Sequence, residues 1–461
     1  MADTVQSKKN PQESTPLLGK SNAYETATRS ASILEKVLQR FQIHTIQHPQ
    51  GLLAKTLQVP VNLFEGQAAN LPHYLSWKRA AFGENFVAAG QVVLGEWNEV
   101  ERALTSPQAR TTQLGTTPLN QGRLPNANGE SSFLLALSQS GAGGNGLYEK
   151  YSSAFFKYHM VGIEKRQNDP VAKNIMDHLV RDYKNMPHGR DEDFFTSKEG
   201  GLKPFLIKYL HYCMFNIDPD DKEAFEALYS LYYDIPFPLY YYDFFGFLFN
   251  LKMKFSIKSR IRKVVKIYEE SSMLANFDSE NVGISKQEFA ELLIPLMGIA
   301  ATQGPKHLIE VAMGQKPIPE YKEGIDTSSI NQTDVWDQLD LSDEKEVHAY
   351  LLECGRLNQP VGHSHRVAEE EFTVNIMGEE RTFPEGTVIS IPINMSCVNK
   401  NLYGDDVFKF DHKRMNLFDY STIFHSVGMR HAGRRCPGAR FALDMLSEIV
   451  VKCGEVRRNM E

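Results

Sequence analysis

The sequence has few cysteines, and their spacing excludes two common roles. Only five cysteines are spread over 461 residues, and no two of them form a C-x-x-C pair. An odd, thinly spread set does not make a disulfide framework, and without Cys/His clusters it predicts no zinc site. We therefore expect an intracellular protein whose thiols are reduced.

Long apolar runs and an excess of positive charge are also missing. No stretch of about 18 or more uncharged apolar residues occurs, which predicts no membrane-spanning helix. The first 30 residues are polar and lack the apolar centre of a secretory signal. The net charge of −7 argues against a general nucleic-acid binder. The predicted protein is therefore intracellular, either soluble or attached to the periphery of a membrane, and has no nucleic-acid partner.

Hydrophobic periodicity divides the chain into a helical body and a small β region. Residues 1–30 are rich in Ser, Thr, Lys and Glu and predict a disordered arm, so the predicted folded domain is 31–461. Helical periodicity dominates residues 147–310, and the alternation typical of strands begins after residue 365. Residues 111–147 are rich in Gly, Asn, Thr and Ser, which predicts a long loop.

The segment 228–266 begins with aromatic residues and ends as a basic, amphipathic helical pattern. Two interpretations stay open for it. In the first, it forms core helices with a solvated basic face. In the second, it forms a surface that contacts a membrane, with aromatic residues at the interface and Lys and Arg facing the headgroups.

The residues around Cys436 are suited to a thiolate that binds iron. Pro437 and Gly438 follow the cysteine, and a helical pattern begins at Ala439. The dipole at the start of that helix would stabilise a negative sulfur, and a glycine would let the backbone turn tightly around it. A thiolate ligand of iron also needs a rigid setting shielded from water. Arg434, two residues before the cysteine, could reach a carboxylate of the same cofactor.

A second motif precedes the cysteine by about 80 residues. Glu353 and Arg356 are three positions apart on a predicted helix, where their side chains can form an ion pair. By itself this pair is as common as any surface pair. Here, however, it is followed by a predicted β-hairpin, then by YGDDVFKFDHKR, and then by the cysteine loop GRRCPG. The order of these motifs carries more information than any one of them.

This order resembles the cytochrome P450 superfamily. Glu353 and Arg356 match its Glu-x-x-Arg helix, FPEGTVISIPI is similar to its strand pair, YGDDVFKFDHKR is similar to its meander, and GRRCPG matches its cysteine loop. The resemblance implies a mostly α protein with a small β region, folded as a single large haem-binding domain. It also implies haem b (iron protoporphyrin IX) as cofactor, with Cys436 as axial ligand of the iron, and a hydrophobic, lipid-like substrate.

The same resemblance implies roles for other residues. Arg414 would join the Glu353–Arg356 pair in a structural charge cluster that supports the haem loop. Pro437 and Gly438 would shape that loop.

Two arginines are predicted to bind the haem propionates. The resemblance implies that Arg434 pairs with one propionate and that Arg366 pairs with the other. His363 and His365 are rival candidates for the position of Arg366.

Two departures from the family's pattern lie near the cysteine. The family's loop reads F-G-x-G-x-R-x-C-x-G, but this chain has Met429, Arg430 and Ala432 at the first three fixed positions. The meander also lacks its usual prolines. In addition, only 25 residues follow Cys436, fewer than the family usually has, so the domain is expected to be short at its C-terminal end.

A further departure lies in the predicted central helix, residues 292–314. Oxygen-activating members of the family carry an acid followed by a threonine there, and this pair relays protons. Thr302 fits the threonine, but Ala301 stands in the place of the acid. Pro295 and Pro305 are expected to bend or interrupt this helix.

The segment AATQGPK in this helix is loosely similar to a soluble branch of the family that rearranges fatty-acid hydroperoxides without O₂ or a reductase. Lys306 is in register with that branch, whereas Ala300 stands where the branch has its catalytic asparagine. Gln303 is a nearby amide that could substitute. Thr302 and Gln303 are therefore the predicted catalytic residues.

Three activities stay open at this point. Hydroperoxide rearrangement or dehydration is slightly favoured, because the acid before Thr302 is missing. Monooxygenation is the alternative, and it alone would require a redox partner. The third is a haem-binding protein without catalytic activity.

Overall fold

The computed structural model describes most of the chain. Its described residues are 30–52, 56, 72–105, 110–111, 140–141, 144–185, 192–235, 251–316, 332–360, 363–368, 370–420 and 436–459. The predicted arm 1–30, except for its last residue, lies outside the described residues, as does most of the predicted loop 111–147.

Helices form most of the described chain, as the hydrophobic periodicity predicts. In its N-terminal half the α-helices are α1 (Ile33–Gln47), α2 (Pro72–Phe82), α3 (Trp97–Thr105), α4 (Leu147–Phe155), α5 (Ile163–Gln167), α6 (Pro170–Asn185), α7 (Glu192–Thr196), α8 (Leu202–Phe215) and α9 (Lys222–Tyr232). In its C-terminal half they are α10 (Leu251–Glu270), α11 (Ser279–Val282), α12 (Lys286–Pro295), α13 (Gly304–Ala312), α14 (Gln332–Gln338), α15 (Glu344–Leu357), α16 (Ile393–Ser396), α17 (Lys400–Tyr403), α18 (Leu417–Tyr420) and α19 (Ala439–Arg458). Shorter helical segments of other types are Phe156–Met160, Ser272–Leu274 and Leu296–Gln303.

Side-chain caps explain where two of these helices begin. At α1, the backbone N–H of Ser32 donates to Oε2 of Glu35 at 2.7 Å, and the N–H of Glu35 donates back to the Ser32 hydroxyl at 3.3 Å. Ser285 and Glu288 form the same capping box at the start of α12, with distances of 2.7 and 3.1 Å. Each box satisfies backbone donors that have no partner inside the helix.

The β region forms one larger sheet and two hairpins. Its strands are β1 (Phe86–Ala88), β2 (Gln91–Val93), β3 (Arg110–Thr111), β4 (Ser140–Gly141), β5 (Gly144–Asn145), β6 (His363–Ala368), β7 (Phe372–Ile376), β8 (Glu379–Phe383) and β9 (Val388–Pro392). The sheet has the order β1-β2-β9-β6-β3, in which only the β2–β9 pair is parallel, while β4 pairs with β5 and β7 with β8. The predicted strands after residue 365 are therefore confirmed.

In the β1–β2 and β7–β8 pairs, the turn between the strands consists of two residues with positive φ. Ala89 and Gly90 connect β1 to β2 with φ values of 49° and 71°, and Met377 and Gly378 connect β7 to β8 with 57° and 79°. Two-residue turns with positive φ at both positions match the twist of antiparallel strands. Gly378 in the second turn is the kind of residue expected between the strands of the β-hairpin that the sequence predicts.

The central helix continues through both of its prolines. Helices α12 and α13 are joined without a break by a π-helical segment, Leu296–Gln303, which lies between Pro295 and Pro305. Pro305 has no N–H to donate to the carbonyl four residues earlier, so the helix cannot keep a regular α register there. The expected interruption is therefore a change to wider π-type bonding, a form often found at functional sites.

Packing brings the predicted site residues toward one part of the fold. Helix α13 packs against α15 and α19, and α15 packs against α19. These helices share one hydrophobic cluster that includes Ile309, Tyr350 and Ile449, all fully buried. Because α15 bears the Glu353–Arg356 pair and α19 begins three residues after Cys436, both motifs rest on the same core.

None of the helices in the described ranges combines the length and the apolar character that crossing a bilayer requires. For the segment 228–266, the structure describes the end of α9 and most of α10, while 236–250 lies outside the described residues.

Candidate active site

The Glu353–Arg356 pair on α15 is completely buried and well aligned. Nε of Arg356 donates to Oε2 of Glu353 at 2.6 Å, and Nη2 donates to Oε1 at 2.7 Å. Both residues have 0% of their surface exposed. A two-bonded guanidinium–carboxylate pair is among the strongest charge-assisted interactions, and buried charges require such pairing.

The remaining donors of Arg356 bind backbone carbonyls of the meander, residues 403–414, and the carbonyl of Cys397 before it. Nη1 donates to the carbonyl oxygen of Val407 at 2.6 Å and to that of Cys397 at 3.2 Å, and Nη2 donates to the carbonyl of Lys409 at 3.4 Å. Burial by itself would lower the pKa of Arg356, but Glu353 outweighs burial and raises it. The arginine therefore stays charged, and its bonds to three backbone carbonyls attach residues 397–409 to α15.

Arg414, which the sequence resemblance assigned to a charge cluster with this pair, lies beside it in the structure. Its Nε lies 3.5 Å from Oε1 of Glu353, which also accepts the backbone N–H of Asp411 at 2.9 Å. Its Nη1 donates to Oδ1 of Asp406 at 3.0 Å and to the carbonyl of Tyr403 at 3.1 Å, and its Nη2 donates to the carbonyls of Asp406 at 2.6 Å and Lys409 at 3.0 Å. The three residues that the motifs named thus meet in one charge cluster, which fastens residues 397–414 to α15.

Cys436 lies three residues before α19, is half-buried and forms no disulfide. Its carbonyl oxygen accepts the backbone N–H of Ala439 at 3.2 Å. Gly438 has φ −93° and ψ 9°, which any residue can adopt, and a Cβ there would lie 3.9 Å from the sulfur, an ordinary contact distance. The turn after the cysteine therefore does not depend on the conformational freedom of glycine, contrary to the expectation from the sequence.

Of the two predicted propionate partners, the structure describes one. Arg366 lies on β6 with 3% of its surface exposed, and its Nη1 donates to the hydroxyl of Ser364 at 2.7 Å. His363 and His365 occupy alternate positions on the same strand, opposite Pro392 and Ser390 of β9. Arg434 lies outside the described residues, together with the rest of 421–435.

Thr302 lies in the π-helical segment of the central helix and is fully buried. Its hydroxyl donates to the carbonyl oxygen of Gly298 at 2.8 Å. Between Glu291 and Glu310 the sequence contains neither Asp nor Glu. The threonine hydroxyl is therefore bonded within its own helix, in a stretch with no carboxylate to pair with it.

Gln303 connects the central helix to α9. Its Nε2 donates to the carbonyl oxygen of Tyr232, the last residue of α9, at 2.8 Å. The Tyr232 hydroxyl lies 2.7 Å from that of Tyr268, which lies 3.0 Å from Nε2 of His211. Nδ1 of His211 lies 2.7 Å from the carbonyl of Ile207, so the ring carries its proton there and Nε2 accepts from Tyr268.

No sequence motif pointed to this hydrogen-bonded chain, which runs through four helices. Tyr232, Tyr268 and His211 are each at most 1% exposed. Burial lowers the pKa of His211 to about 4, against a raising effect of its bond to Ile207. The histidine is therefore neutral at physiological pH, as its role as an acceptor requires.

Lys306, which the resemblance to the hydroperoxide branch singled out, is paired on its own helix. It binds Oε1 of Glu310, and Nζ of Lys316 lies 2.7 Å from Oε2 of the same carboxylate. Lys316 also donates to Nδ1 of His307 at 3.2 Å, so Nε2 carries the proton and donates to Oδ1 of Asn358 at 2.8 Å. This polar group marks the end of the central helix and was not predicted, because its members come from three separate segments.

No family model matches the sequence, and no curated protein matches it. Solved structures do match its fold. Cytochrome P450 CYP109B1 from Bacillus subtilis is 12% identical, with 85% of this chain and 92% of that chain covered and a TM-score of 0.56. Cytochrome P450 CYP150A6 from Mycobacterium marinum, solved free of substrate, is 14% identical, with coverages of 84% and 86% and a TM-score of 0.54. CYP109E1 from Bacillus megaterium, solved in complex with testosterone, is 13% identical, with coverages of 84% and 89% and a TM-score of 0.56.

These matches extend over most of both chains, so they define the class of the fold. The chain has the cytochrome P450 fold, a mostly α architecture with a small β region, as the order of its sequence motifs predicted. At such low identity the likeness concerns the fold, and the chemistry has to be argued from the residues of this chain.

Proposed function

We propose that this chain is a haem-thiolate oxidoreductase of the cytochrome P450 type, with residues 31–461 as its haem domain and a hydrophobic, lipid-like small molecule as substrate. One observation carries the proposal. In a chain with the cytochrome P450 fold, Cys436 lies three residues before α19, and that helix packs on the helix that bears the buried Glu353–Arg356 pair.

The side chains present fit a haem with one thiolate ligand. Haem offers an iron that takes an axial ligand, and two carboxylates that take cationic partners. Cys436 supplies a half-buried thiol outside any disulfide, and Arg366 supplies a guanidinium that is 3% exposed. Arg434, two residues before the cysteine, is the proposed second propionate partner.

The protein's own contributions are positioning and charge. The N-terminal dipole of α19 favours the thiolate form of Cys436. A bound haem would supply the chemistry that cleaves an O–O bond. The charge cluster of Glu353, Arg356 and Arg414 holds the meander, which precedes the cysteine loop in the sequence, against α15.

The central helix favours a substrate that already contains the O–O bond. Reduction of O₂ needs electrons and a relay that delivers protons. Here Ala301 replaces the acid, the Thr302 hydroxyl is bonded to Gly298, and the Gln303 amide is bonded to Tyr232. A fatty-acid hydroperoxide needs no external electrons for rearrangement or for loss of water, so the missing relay does not block that chemistry.

The apolar nature of the proposed substrate has separate support. CYP109E1, which has a similar fold, was solved with testosterone, a hydrophobic small molecule. The proposed substrate class for this chain is an apolar molecule of comparable character, with a lipid hydroperoxide preferred for the reason given above.

Monooxygenation with a redox partner is the second candidate, and one observation favours it. Thr302 stands at the position of the threonine that oxygen-activating members carry, and it lies in a π-helical segment. A haem-binding protein without turnover is the third candidate, because the loop before Cys436 departs from the family's pattern.

The first experiment tests the cofactor and its ligand. The reduced protein with bound CO should absorb at about 450 nm, which is the signature of thiolate ligation, and Cys436→Ala should abolish that band. Cys453→Ala is a matched control, because Cys453 is a buried cysteine of α19 that belongs to the hydrophobic core. A band that survives in Cys436→Ala, or a protein that takes up no haem, would contradict the proposal.

The second experiment separates the candidate reactions. Purified protein should consume a fatty-acid hydroperoxide without NADPH or reductase, and Thr302→Val should retain this activity, since the hydroxyl is used inside the helix. Strict dependence on NADPH and a reductase, with loss of activity in Thr302→Val, would establish the monooxygenase. Haem binding with no turnover above that of free haemin would leave only the non-catalytic candidate.

A further inference from the structure

Three ligand-type side chains meet between α15 and α19, apart from the charge cluster of Glu353. Glu344 and His348 are four positions apart on α15, so they share one face of that helix. Asp444 lies on α19, which packs against α15. Each residue offers one ligand atom, and these atoms all lie within 4.8 Å of one another.

The spacing of these atoms suits a bound ion better than hydrogen bonds. Nε2 of His348 lies 3.9 Å from Oε1 of Glu344 and 4.0 Å from Oδ1 of Asp444, beyond hydrogen-bonding distance. Donor atoms held by one tetrahedral zinc ion at about 2.1 Å lie about 3.4 Å apart. A small side-chain rotation would close the difference, and Glu344, with 78% of its side chain exposed, has room for it.

The lack of a hydrogen-bond partner for the histidine nitrogen is a second, separate observation. Nε2 of His348 is buried, and none of the described residues forms a hydrogen bond with it. Leaving a buried polar atom unsatisfied is costly, and a cation at this point would remove that cost.

We infer that Glu344, His348 and Asp444 form a binding site for a divalent transition-metal ion of the zinc class, with water completing the coordination. One imidazole and two carboxylates are a known type of zinc ligand set, whereas magnesium and calcium prefer oxygen ligands alone. The ion would join α15, which carries the Glu353–Arg356 pair, to α19, which follows Cys436. The site needs no haem, so it stands or falls separately from the proposed function.

Removal of a neighbouring arginine should strengthen metal binding, whereas removal of a ligand should weaken it. Nε of Arg440 lies 3.8 Å from Oδ2 of Asp444, and its side chain is 78% exposed. Its positive charge competes with a cation for the same carboxylate. Arg440→Ala should therefore tighten metal binding, whereas a substitution that merely loosened the structure would weaken it.

The experiment is a titration of the untagged, zinc-free protein with Zn²⁺, followed by calorimetry and by thermal unfolding. We expect saturable binding of one zinc ion per chain at this site and a higher melting temperature with zinc. His348→Ala and Glu344→Gln should each weaken zinc binding by about tenfold or more, the range seen when support of a metal site is lost. His412→Ala is the matched control and should bind zinc normally, since His412 pairs with Glu346 at 3.0 Å outside the group.

Two ligand variants are used so that the test does not depend on the folding of either one. Glu344 is mostly exposed, so Glu344→Gln is expected to fold even if His348→Ala does not. Zinc binding that is equally strong in the parent protein and in Glu344→Gln, or no saturable binding in the parent protein, would overturn the inference. Weaker binding in Glu344→Gln, together with tighter binding in Arg440→Ala, would establish the site.

Discussion

Two regions of this molecule bury polar side chains in opposite ways. Around α15 the buried groups are charged: Glu353 and Arg356 are fully buried and form two hydrogen bonds with each other. Where helices α8, α9 and α10 meet the π-helical segment of the central helix, the buried groups are neutral: Tyr232, Tyr268 and His211 form a chain of hydrogen bonds. The first region attaches a loop to a helix, and the second joins helices to one another.

The difference follows from what each region has to hold. A meander has no regular backbone pairing, so its carbonyls need strong donors, and a charged guanidinium with five N–H groups can bind several of them. Packed helices already satisfy their backbones, so neutral pairs are sufficient between them. The Glu353–Arg356 pair of the ionic region matches the sequence pattern that resembles the cytochrome P450 family, whereas Ala301 in the helical region departs from it.

The largest effect is expected when the ionic region is broken. Glu353→Gln would leave the Arg356 guanidinium buried without its counter-charge, which should lower the free energy of unfolding by about 3–5 kcal/mol. Urea denaturation would measure the loss. Glu226→Gln is the matched control, because Glu226 pairs with Lys198 at 2.6 Å on the surface, with side chains 58% and 41% exposed. That change should cost less than about 1 kcal/mol.

Equal losses in the two variants would show that the buried cluster is no stronger than a surface pair. The contrast between the two regions would then have no energetic basis, and the role assigned to the cluster in holding the meander would be wrong.

The next largest effect is a loss of stability at acidic pH, caused by buried neutral histidines. Burial lowers the pKa of His211 to about 4, and it does the same for His159. A histidine whose pKa is lower in the folded state binds its proton more readily in the unfolded state. Its contribution to the free energy of unfolding is therefore complete above the unfolded pKa of about 6.5 and is lost as the pH falls toward 4. Each such histidine contributes up to about 1.4 kcal/mol per pH unit within this window.

Urea denaturation at pH 7 and at pH 5 would measure this dependence. We expect His211→Gln to be less stable than the parent at pH 7 but to lose less stability between the two pH values. His159 remains in that variant, so part of the acid sensitivity should persist. An unchanged loss between pH 7 and pH 5 would mean that His211 does not titrate as its burial requires.

The sequence predicted the ionic region much better than the neutral one, for a physical reason. Glu353 and Arg356 lie three positions apart on one helix, so their contact is local and can be read from spacing. Gln303 and Tyr232 are 71 positions apart, and no local pattern records such a contact. The carbonyls that Arg356 binds were equally hidden, because every residue type offers the same backbone acceptor.

Secondary structure shows the same limit. The alternation in β7 and β8 predicted a hairpin, and the glycine after Met377 marked its turn. The π-helical segment Leu296–Gln303 was not predicted, because α and π helices differ in hydrogen-bond register and only slightly in the spacing of apolar residues. Two prolines in the central helix signalled a disturbance and left its form open.

The smallest effect is expected at the link between the central helix and α9. Tyr232 ends α9, where carbonyls lack partners within the helix, and the Gln303 amide supplies one at 2.8 Å. Gln303→Leu should therefore lower the free energy of unfolding by about 1–2 kcal/mol. Gln287→Leu is the matched control, since the exposed Gln287 bonds, among the described residues, only to the side chain of Glu291 at 3.1 Å, and the loss of this bond should cost little.

This last variant also tests the catalytic role that the sequence predicted for Gln303. A cap on α9 and a catalytic amide give different results when stability and turnover are measured together on the same Gln303→Leu preparation. A loss of stability with hydroperoxide turnover largely kept, at a temperature where the variant is folded, would make Gln303 a structural link of the neutral region. Unchanged stability with turnover abolished would assign the amide to catalysis, and the neutral region would then contain a working part of the active site.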